Sequence, residues 1–268
     1  MKPLLKLTVT FAASSLAIAS VFAFSLTANA QENNTYFSVS GGLTSLQSSN
    51  NSGELTSPFT TWEGTTIPGG AVLASGTSVS WNTLFKSGYN AGIAIGKSYD
   101  NGLRGELEIR YLSNSISSHN GVAVGGSAIG TEDAGVLITG SGNLGASVST
   151  IVGAGTGKNS TLAYMINGYY DFMPEAEFTP YVGVGVGYAD TTVVFAPSDV
   201  AVADSGNGGL AYQGILGGLY NVSENTSVFA EYRYFGRSKV RVDLSLLPGY
   251  LDTDNKAHLF NVGLRVNF

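Results

Sequence analysis

The closing stretch of the chain, residues 260–268 (FNVGLRVNF), decides the fold. Apolar side chains occupy every second position, and polar residues or glycine lie between them. The apolar positions are Phe260, Val262, Leu264, Val266 and Phe268. Because successive side chains of a β-strand point to opposite faces, this alternation predicts a strand with one apolar face. A strand of a soluble sheet can alternate as well, but an aromatic last residue is unusual there.

The same alternation recurs upstream in segments of about ten residues, the length of a tilted strand that crosses a membrane. The segment 210–222 fits least well, because its apolar residues Ile215 and Leu219 fall on the face that is polar elsewhere. Together with the closing stretch, the alternating segments predict eight strands. The others lie at 37–44, 89–96, 103–113, 162–170, 182–188, 210–222 and 226–235.

Short and long connections alternate strictly between these strands. The short ones fall at 100–102, 173–178 and 223–225, and the long ones at 45–85, 116–159, 190–209 and 236–256. Outer-membrane barrels sort their connections in this way, with short periplasmic turns and longer extracellular loops. The sequence therefore predicts an all-β fold, an eight-stranded antiparallel up-and-down transmembrane β-barrel with four long extracellular loops. Both termini would then be periplasmic.

The composition excludes several other classes of protein. Only 12% of the 268 residues are charged and the formal net charge is −6, so the chain has no basic surface for nucleic acid. The hydrophobic fraction of 43% is too high for a disordered chain. The chain contains no cysteine, which rules out disulfides and thiolate chemistry. We expect neither a metal nor a cofactor.

The N-terminal 30 residues predict a secretory signal peptide. Lys2 and Lys6 precede an apolar stretch at 7–26, and Ala28 and Ala30 are the small residues of a cleavage site. An uncleaved membrane anchor is the alternative. The predicted domains are therefore the signal peptide at 1–30 and the outer-membrane barrel at 31–268.

Charged residues occupy the second face of several strands, which would be the inside of the barrel. Since an eight-stranded barrel has an interior just wide enough for its own side chains, these charges must share a small space. We predict an ion-paired plug, and a narrow polar conduit lined by the same residues is the alternative. Glycines at 183, 185 and 187 leave room for larger side chains or for water. The predicted set is Arg104, Glu106, Glu108, Arg110, Glu231, Arg233 and Arg265.

Several runs carry a family resemblance. They are NGYYDF at 167–172, TPYVGVGVGY at 179–188, AYQ at 211–213 and EYRYF at 231–235. With the terminal alternation, they resemble the opacity-like and rickettsial-type surface-antigen barrels, in the superfamily of the OmpA transmembrane domain. The resemblance implies a surface protein of the outer membrane of a Gram-negative bacterium. The C-terminal strand resembles the signal by which the barrel-assembly machinery recognises its clients, and this assigns that role to Phe260, Val262, Leu264, Val266 and Phe268.

The long loops are the expected working surface, because rigid scaffolds commonly carry function on loops. The first loop contains Trp62 and Trp81 with little charge, and the last contains Arg237, Lys239 and Arg241, which suit lipopolysaccharide phosphates. We predict a surface antigen or adhesin whose partners are outer-membrane lipid, lipopolysaccharide and host or neighbouring surface molecules. A small porin-like channel is the alternative, and we expect a monomer.

An enzyme is the least favoured interpretation. Barrels that modify lipid A use a histidine with a serine and an acid, and this chain has two histidines, His119 and His258. His119 falls in a predicted loop and His258 at the outer end of the last strand, neither within a sequence that suggests a general base. The sequence therefore predicts no catalytic residue.

Overall fold

The computed structural model describes residues 34–137, 142–199 and 202–268. The predicted signal peptide at 1–30 lies outside the described residues and stays a prediction. No helix in the described ranges is long and apolar enough to cross a membrane.

Most of the described chain is β-strand. A single short α-helix, Val148–Gly153, begins at the N-cap Ser147, whose side chain accepts a hydrogen bond from the Thr150 backbone N–H. The strands in chain order are β1 (Thr35–Leu46), β2 (Ser49–Leu55), β3 (Phe59–Thr60), β4 (Val72–Leu73), β5 (Ser78–Phe85), β6 (Gly88–Ser98), β7 (Leu103–Val124), β8 (Ser127–Ala128), β9 (Gly157–Asp171), β10 (Phe178–Phe195), β11 (Ala203–Asn221), β12 (Thr226–Asp243) and β13 (Gly249–Asn267).

Eight of these strands close into a ring. The order is β1, β6, β7, β9, β10, β11, β12 and β13, with every neighbour antiparallel, and β13 pairs back with β1 to complete the circle. Phe37 lies opposite Val266 in that closing pair. The predicted eight-stranded up-and-down barrel is confirmed, and the weakly alternating segment 210–222 is one of its strands, β11.

The strands extend well beyond this first ring and build a second ring above it. β1 ends at Leu46 and β6 begins at Gly88, and above that level β2 and β5 take their places. β2 pairs with β13, and β5 pairs with β7, so the wall stays closed. We call the eight strands of the first closure the lower ring and this continuation the crown. About half of the residues in the four predicted long connections are therefore in β-strands.

The length of β7 shows how far the crown reaches. Its 22 residues span about 55 Å along the barrel axis at about 3.3 Å per residue and a tilt near 40°. The apolar band of such barrels is about 25 Å tall. More than half of the tube therefore stands outside the apolar band.

The opposite end of the barrel carries the short turns that the sequence predicts. The Tyr99 N–H donates to the Leu103 carbonyl at 2.8 Å, and the Asn101 side chain accepts from the Leu103 N–H at 3.1 Å. Gly102 has a φ of +79°, a conformation that glycine adopts without strain. We call this the turn end.

The side chains of the lower ring sort by face. Apolar residues cover the outside, where Val184 is 71% exposed, and aromatic residues such as Tyr89 and Tyr170 lie near the two ends of the strands. The inside is layered. Tyr169 and Leu219 belong to an apolar cluster that lies beside the charged residues toward the turn end, and a second apolar layer that includes Leu112 and Phe235 separates the charges from the crown. The crown has its own apolar core.

Candidate functional site in the barrel lumen

Glu108 is the centre of a buried charge cluster in the lumen. Its carboxylate lies 2.6 Å from Nη2 of Arg110 and 2.6 Å from Nη1 of Arg233. Glu231 accepts from Nε of Arg233 at 2.6 Å and lies 3.9 Å from Nη2 of Arg110. β7 and β12 supply these four residues from opposite sides of the ring, so the cluster crosses the lumen. Arg110 is only 1% exposed.

A second group of charges lies toward the turn end. Nη2 and Nε of Arg104 donate to the Asp171 carboxylate at 3.0 and 3.1 Å, and Nη1 lies 4.0 Å from the Glu106 carboxylate. The Tyr36 hydroxyl donates to Glu106 at 2.9 Å and accepts from Arg104 at 3.2 Å. Sequence analysis missed Asp171, although it continues the inward-facing series of Tyr169 on the same strand. With Asp171 included, four arginines face four carboxylates in the lumen.

Arg265 lies in the lumen but outside the ion pairs of the described residues. Its guanidinium stacks on the Tyr36 ring at 4.0 Å, and it donates to the side chains of Asn267 at 3.0 Å and Ser98 at 2.6 Å. Cation–π contact and neutral acceptors hold this charge instead of a carboxylate.

Neutral polar side chains connect the two groups of charges. Asn167 donates to Glu106 at 3.0 Å and to Glu108 at 2.9 Å, so it bridges them. Gln213 donates to Glu108 at 3.0 Å, and the Tyr181 hydroxyl donates to Glu231 at 3.1 Å. These residues were not among the predicted set, because a neutral residue on the inner face of one strand gives no sequence signal of its partners.

The lumen has almost no free space at the level of the charges. The cavity lined by Arg104, Glu108 and Arg233 measures about 10 Å³, about the room that a single water needs. Large side chains of the neighbouring strands fill the space next to the lumen glycines. A Cβ at Gly183 would lie 2.5 Å from the Tyr169 ring, and one at Gly185 would lie 2.9 Å from Cγ of Gln213.

A known protein family matches most of the chain. Residues 16–268 match the family model of the outer membrane protein beta-barrel domain. The chain belongs to this family. An outer membrane barrel must bury its charges inside and show apolar side chains to lipid, and the lumen and outer face described above meet both requirements.

The relatives of this outer membrane barrel match it over shorter stretches. It is 33% identical over 105 residues to outer membrane protein PagN of Salmonella typhimurium, which covers 35% of this chain and 43% of PagN. It is 30% identical over 138 residues to an outer membrane protein of Gluconacetobacter diazotrophicus, covering 43% of this chain and 36% of that protein. The chain thus spans less than half the length of these curated relatives.

Solved structures similar to this one include Neisserial surface protein A and the outer membrane protein OprG. Neisserial surface protein A has a TM-score of 0.45 at 14% identity, over 88% of this chain and 98% of its own. OprG of Pseudomonas aeruginosa has a TM-score of 0.49 at 12% identity, over 88% of this chain and 98% of its own.

The closing strand of the outer membrane barrel presents its alternate residues to the outside. Phe260, Val262, Leu264 and Val266 are exposed on β13, between its partners β1 and β12. Phe268 follows the end of the strand, where its N–H donates to the Thr35 carbonyl at 2.9 Å.

The two histidines lie on different strands, and their side-chain hydrogen-bond partners among the described residues are neutral. The Nδ1 of His258 lies 2.7 Å from the Tyr232 hydroxyl, and its Nε2 lies 2.8 Å from Nε2 of Gln47. His119, expected in a loop, lies instead within β7 and is buried in the crown beside Trp81. Within the described ranges, no three histidine, cysteine or carboxylate residues come together as a metal site.

The crown also corrects two expectations about its surface. Trp81 is 8% exposed and belongs to the crown core, whereas Trp62 is 40% exposed. Arg237 is buried and donates to the Asn207 and Ser238 carbonyls. Arg241 pairs with Asp252 at 2.9 Å, and this contact raises the pKa of Arg241 and lowers that of Asp252. Two of the predicted phosphate-binding cations are therefore engaged within the protein.

Proposed function

We propose that this outer membrane barrel is a surface-display protein, an antigen or adhesin, whose lumen is sealed. One observation carries the proposal: the charged cluster fills the lumen and leaves a cavity of about 10 Å³. A porin needs a continuous water-filled path, whereas this interior is crossed by ion pairs and by an apolar layer above them. The seven predicted charged residues then serve as a structural plug, together with Asp171.

The crown is the part that the barrel displays. Its apolar core and strand walls make it a rigid platform, and surface loops on such a platform commonly carry binding residues. We place the crown outside the cell and the turn end, with both termini, in the periplasm. Host or neighbouring surface molecules are its partners, with lipopolysaccharide around the barrel, and the protein acts as a monomer without catalytic activity. Residues 1–30 serve as the cleaved signal, and Phe260 to Phe268 address the chain to the assembly machinery.

Conductance across a planar lipid bilayer tests the sealed lumen. We expect the refolded protein to insert without discrete open-channel steps. The matched variant Glu108→Ser with Arg233→Ser removes one charge of each sign from the middle of the lumen, and we expect it to stay closed as well, because the apolar layer that includes Leu112 and Phe235 is unchanged. Reproducible steps from the unchanged protein would show that it is a pore and overturn the proposal.

Cysteine labelling tests the orientation, because the natural chain contains no cysteine. Ser57 lies exposed in the crown and Glu224 lies exposed at the turn end. In intact cells, an impermeant maleimide should label Ser57→Cys, and it should label Glu224→Cys only after the outer membrane is opened. The reverse pattern would contradict the placement of the crown.

A cell-adherence assay tests the adhesin role. It compares how well cells displaying the protein and cells carrying the empty vector adhere to host-cell monolayers.

A further inference from the structure

A groove crosses the outer face of the lower ring near the turn end. It measures about 490 Å³ and runs over β7, β9 and β10, where Leu103, Tyr170 and Val184 are among its walls. Gly105 and Gly168 form its floor, and they lie opposite each other in the pairing of β7 with β9. Because the outer face of the lower ring meets the hydrocarbon of the membrane, this groove is open to lipid chains.

Packing within the barrel does not account for the two floor glycines. A Cβ at Gly105 or at Gly168 would meet no atom of the described chain within 4 Å, and neither residue has the left-handed backbone that favours glycine. Both lie inside regularly paired strands, where glycine is unfavourable. An isolated glycine in a strand often marks the close approach of another molecule. The floor is therefore shaped for an occupant outside the barrel.

A cation lies at the edge of the groove. Lys97 of β6 pairs with Gly105 of β7, so the two residues share the outer face. Lys97 is exposed, and none of the salt bridges among the described residues includes it. It lies two residues before Tyr99, which corresponds to a depth of about 5 Å below the end of the strand at a tilt near 40°. A lysine at this depth lays its apolar stem along the barrel and extends its ammonium to the level of the lipid headgroups.

We propose that this groove binds one glycerophospholipid, whose acyl chain lies over Gly105 and Gly168 and whose phosphate pairs with the Lys97 ammonium. A phospholipid supplies both a hydrocarbon chain for the floor and an anion for the cation at its edge. This site is separate from the lumen and from the crown, and it does not depend on the display function. With the turn end in the periplasm, the lipid belongs to the inner leaflet of the outer membrane.

Native mass spectrometry of the barrel in detergent micelles tests the site. Titration with dioleoylphosphatidylglycerol should show a first lipid that binds more tightly than any later one. Dioleoylglycerol has the same two chains without the phosphate, and it should bind about fivefold more weakly, the usual upper limit for a partly exposed ion pair. Glycerol 3-phosphate has no chain and should not bind.

Three variants separate the floor from the cation. Gly105→Val with Gly168→Val fills the groove, removes of the order of ten atom contacts and should weaken phosphatidylglycerol binding about fivefold. Gly214→Val is the matched control, because Gly214 lies on β11 outside the groove and a Cβ there also meets no described atom within 4 Å; binding should not change. Lys97→Gln should weaken phosphatidylglycerol binding about fivefold and leave dioleoylglycerol binding unchanged. Gel mobility without boiling shows that each variant is folded.

Three results would overturn the proposal. The first is equal binding of phosphatidylglycerol and dioleoylglycerol, since the phosphate would then play no part. The second is an equal loss of binding in the Gly214→Val control, which would make the lipid contact general to the outer face. The third is a dimer that disappears when the groove is filled, because a second copy of the barrel would then be the occupant.

Discussion

Replacing Glu108 by glutamine tests what the lumen charges contribute to stability. The carboxylate accepts from Arg110 at 2.8 Å, from Arg233 at 2.6 Å, from Asn167 at 2.9 Å and from Gln213 at 3.0 Å. An amide of the same size has one acceptor oxygen and two N–H donors, so some of these donors lose their partner. The change also leaves one guanidinium charge uncompensated. Removing one partner of a buried ion pair costs about 3–5 kcal/mol, and we expect a loss of about 4 kcal/mol in the free energy of unfolding.

The assay is urea unfolding of the barrel in phospholipid vesicles, followed by gel mobility without boiling. Asp252→Asn is the matched control, because it breaks an ion pair whose arginine is half-exposed in the crown. Such pairs contribute about 0–1 kcal/mol. The double variant Glu108→Gln with Arg233→Gln restores the charge balance of the lumen. We expect its loss in the free energy of unfolding to be smaller than the sum of the two single losses by at least about 1.5 kcal/mol.

A loss at Glu108 no larger than that at Asp252 would refute the reasoning. It would mean that the lumen charges contribute nothing measurable to stability as pairs, and that the surrounding apolar layers hold the barrel. A double variant whose loss equals the sum of the single losses would show that Glu108 and Arg233 act independently despite their contact.

The remaining predictions concern packing, pH and assembly. Gly185→Ala should cost about 1–3 kcal/mol by overpacking in the same urea assay, whereas Gly105→Ala should cost little, because a Cβ at Gly105 meets no atom within 4 Å; equal losses would contradict the packing. His119 has a pKa of about 4 in the folded crown and 6.5 as an unperturbed side chain, so its contribution is complete above pH 6.5 and declines as pH falls toward 4. Relative to His119→Phe, with both proteins carrying Trp62→Phe so that Trp81 is the single tryptophan, the urea midpoint reported by fluorescence should drop by the equivalent of about 2 kcal/mol between pH 7.5 and pH 5; identical pH profiles would refute this. Phe268→Ala should slow insertion in cells, measured by pulse-chase gel mobility, without changing the urea midpoint of the refolded barrel; normal insertion would remove the assembly role.

The lower ring could be predicted because its signal is local. Alternation with a period of two depends on each strand alone, so Phe260 to Phe268 and the charged face of Arg104 and Glu108 identify both lipid and lumen faces. The pairing inside the lumen could not be predicted, since it depends on which strands the ring brings together. Asp171 and Asn167 reach Arg104 and Glu108 only because β9 pairs with β7 in one register.

The crown was the part that sequence patterns concealed. The residues of β2, SNNSGEL, are polar and contain a glycine, and they are typical of a loop. They form a strand because the upper parts of β13 and β5 offer unpaired backbone groups on either side. The burial of His119 and Trp81 follows from that closure, which no short window of sequence reports.

Because β2 and β5 take the places of β1 and β6 in the crown, the lower ring and the crown can change separately. Residues 47–87 all belong to the crown. This segment leaves the lower ring at the end of β1 and re-enters it at the start of the neighbouring strand β6, where Thr44 lies opposite Gly88. A shortened chain that joined these strands by a tight turn would still close eight strands through the lipid, and the crown would become an open sheet. Evolution can therefore exchange or enlarge this one segment, and so remodel the crown, without altering the eight strands of the lower ring.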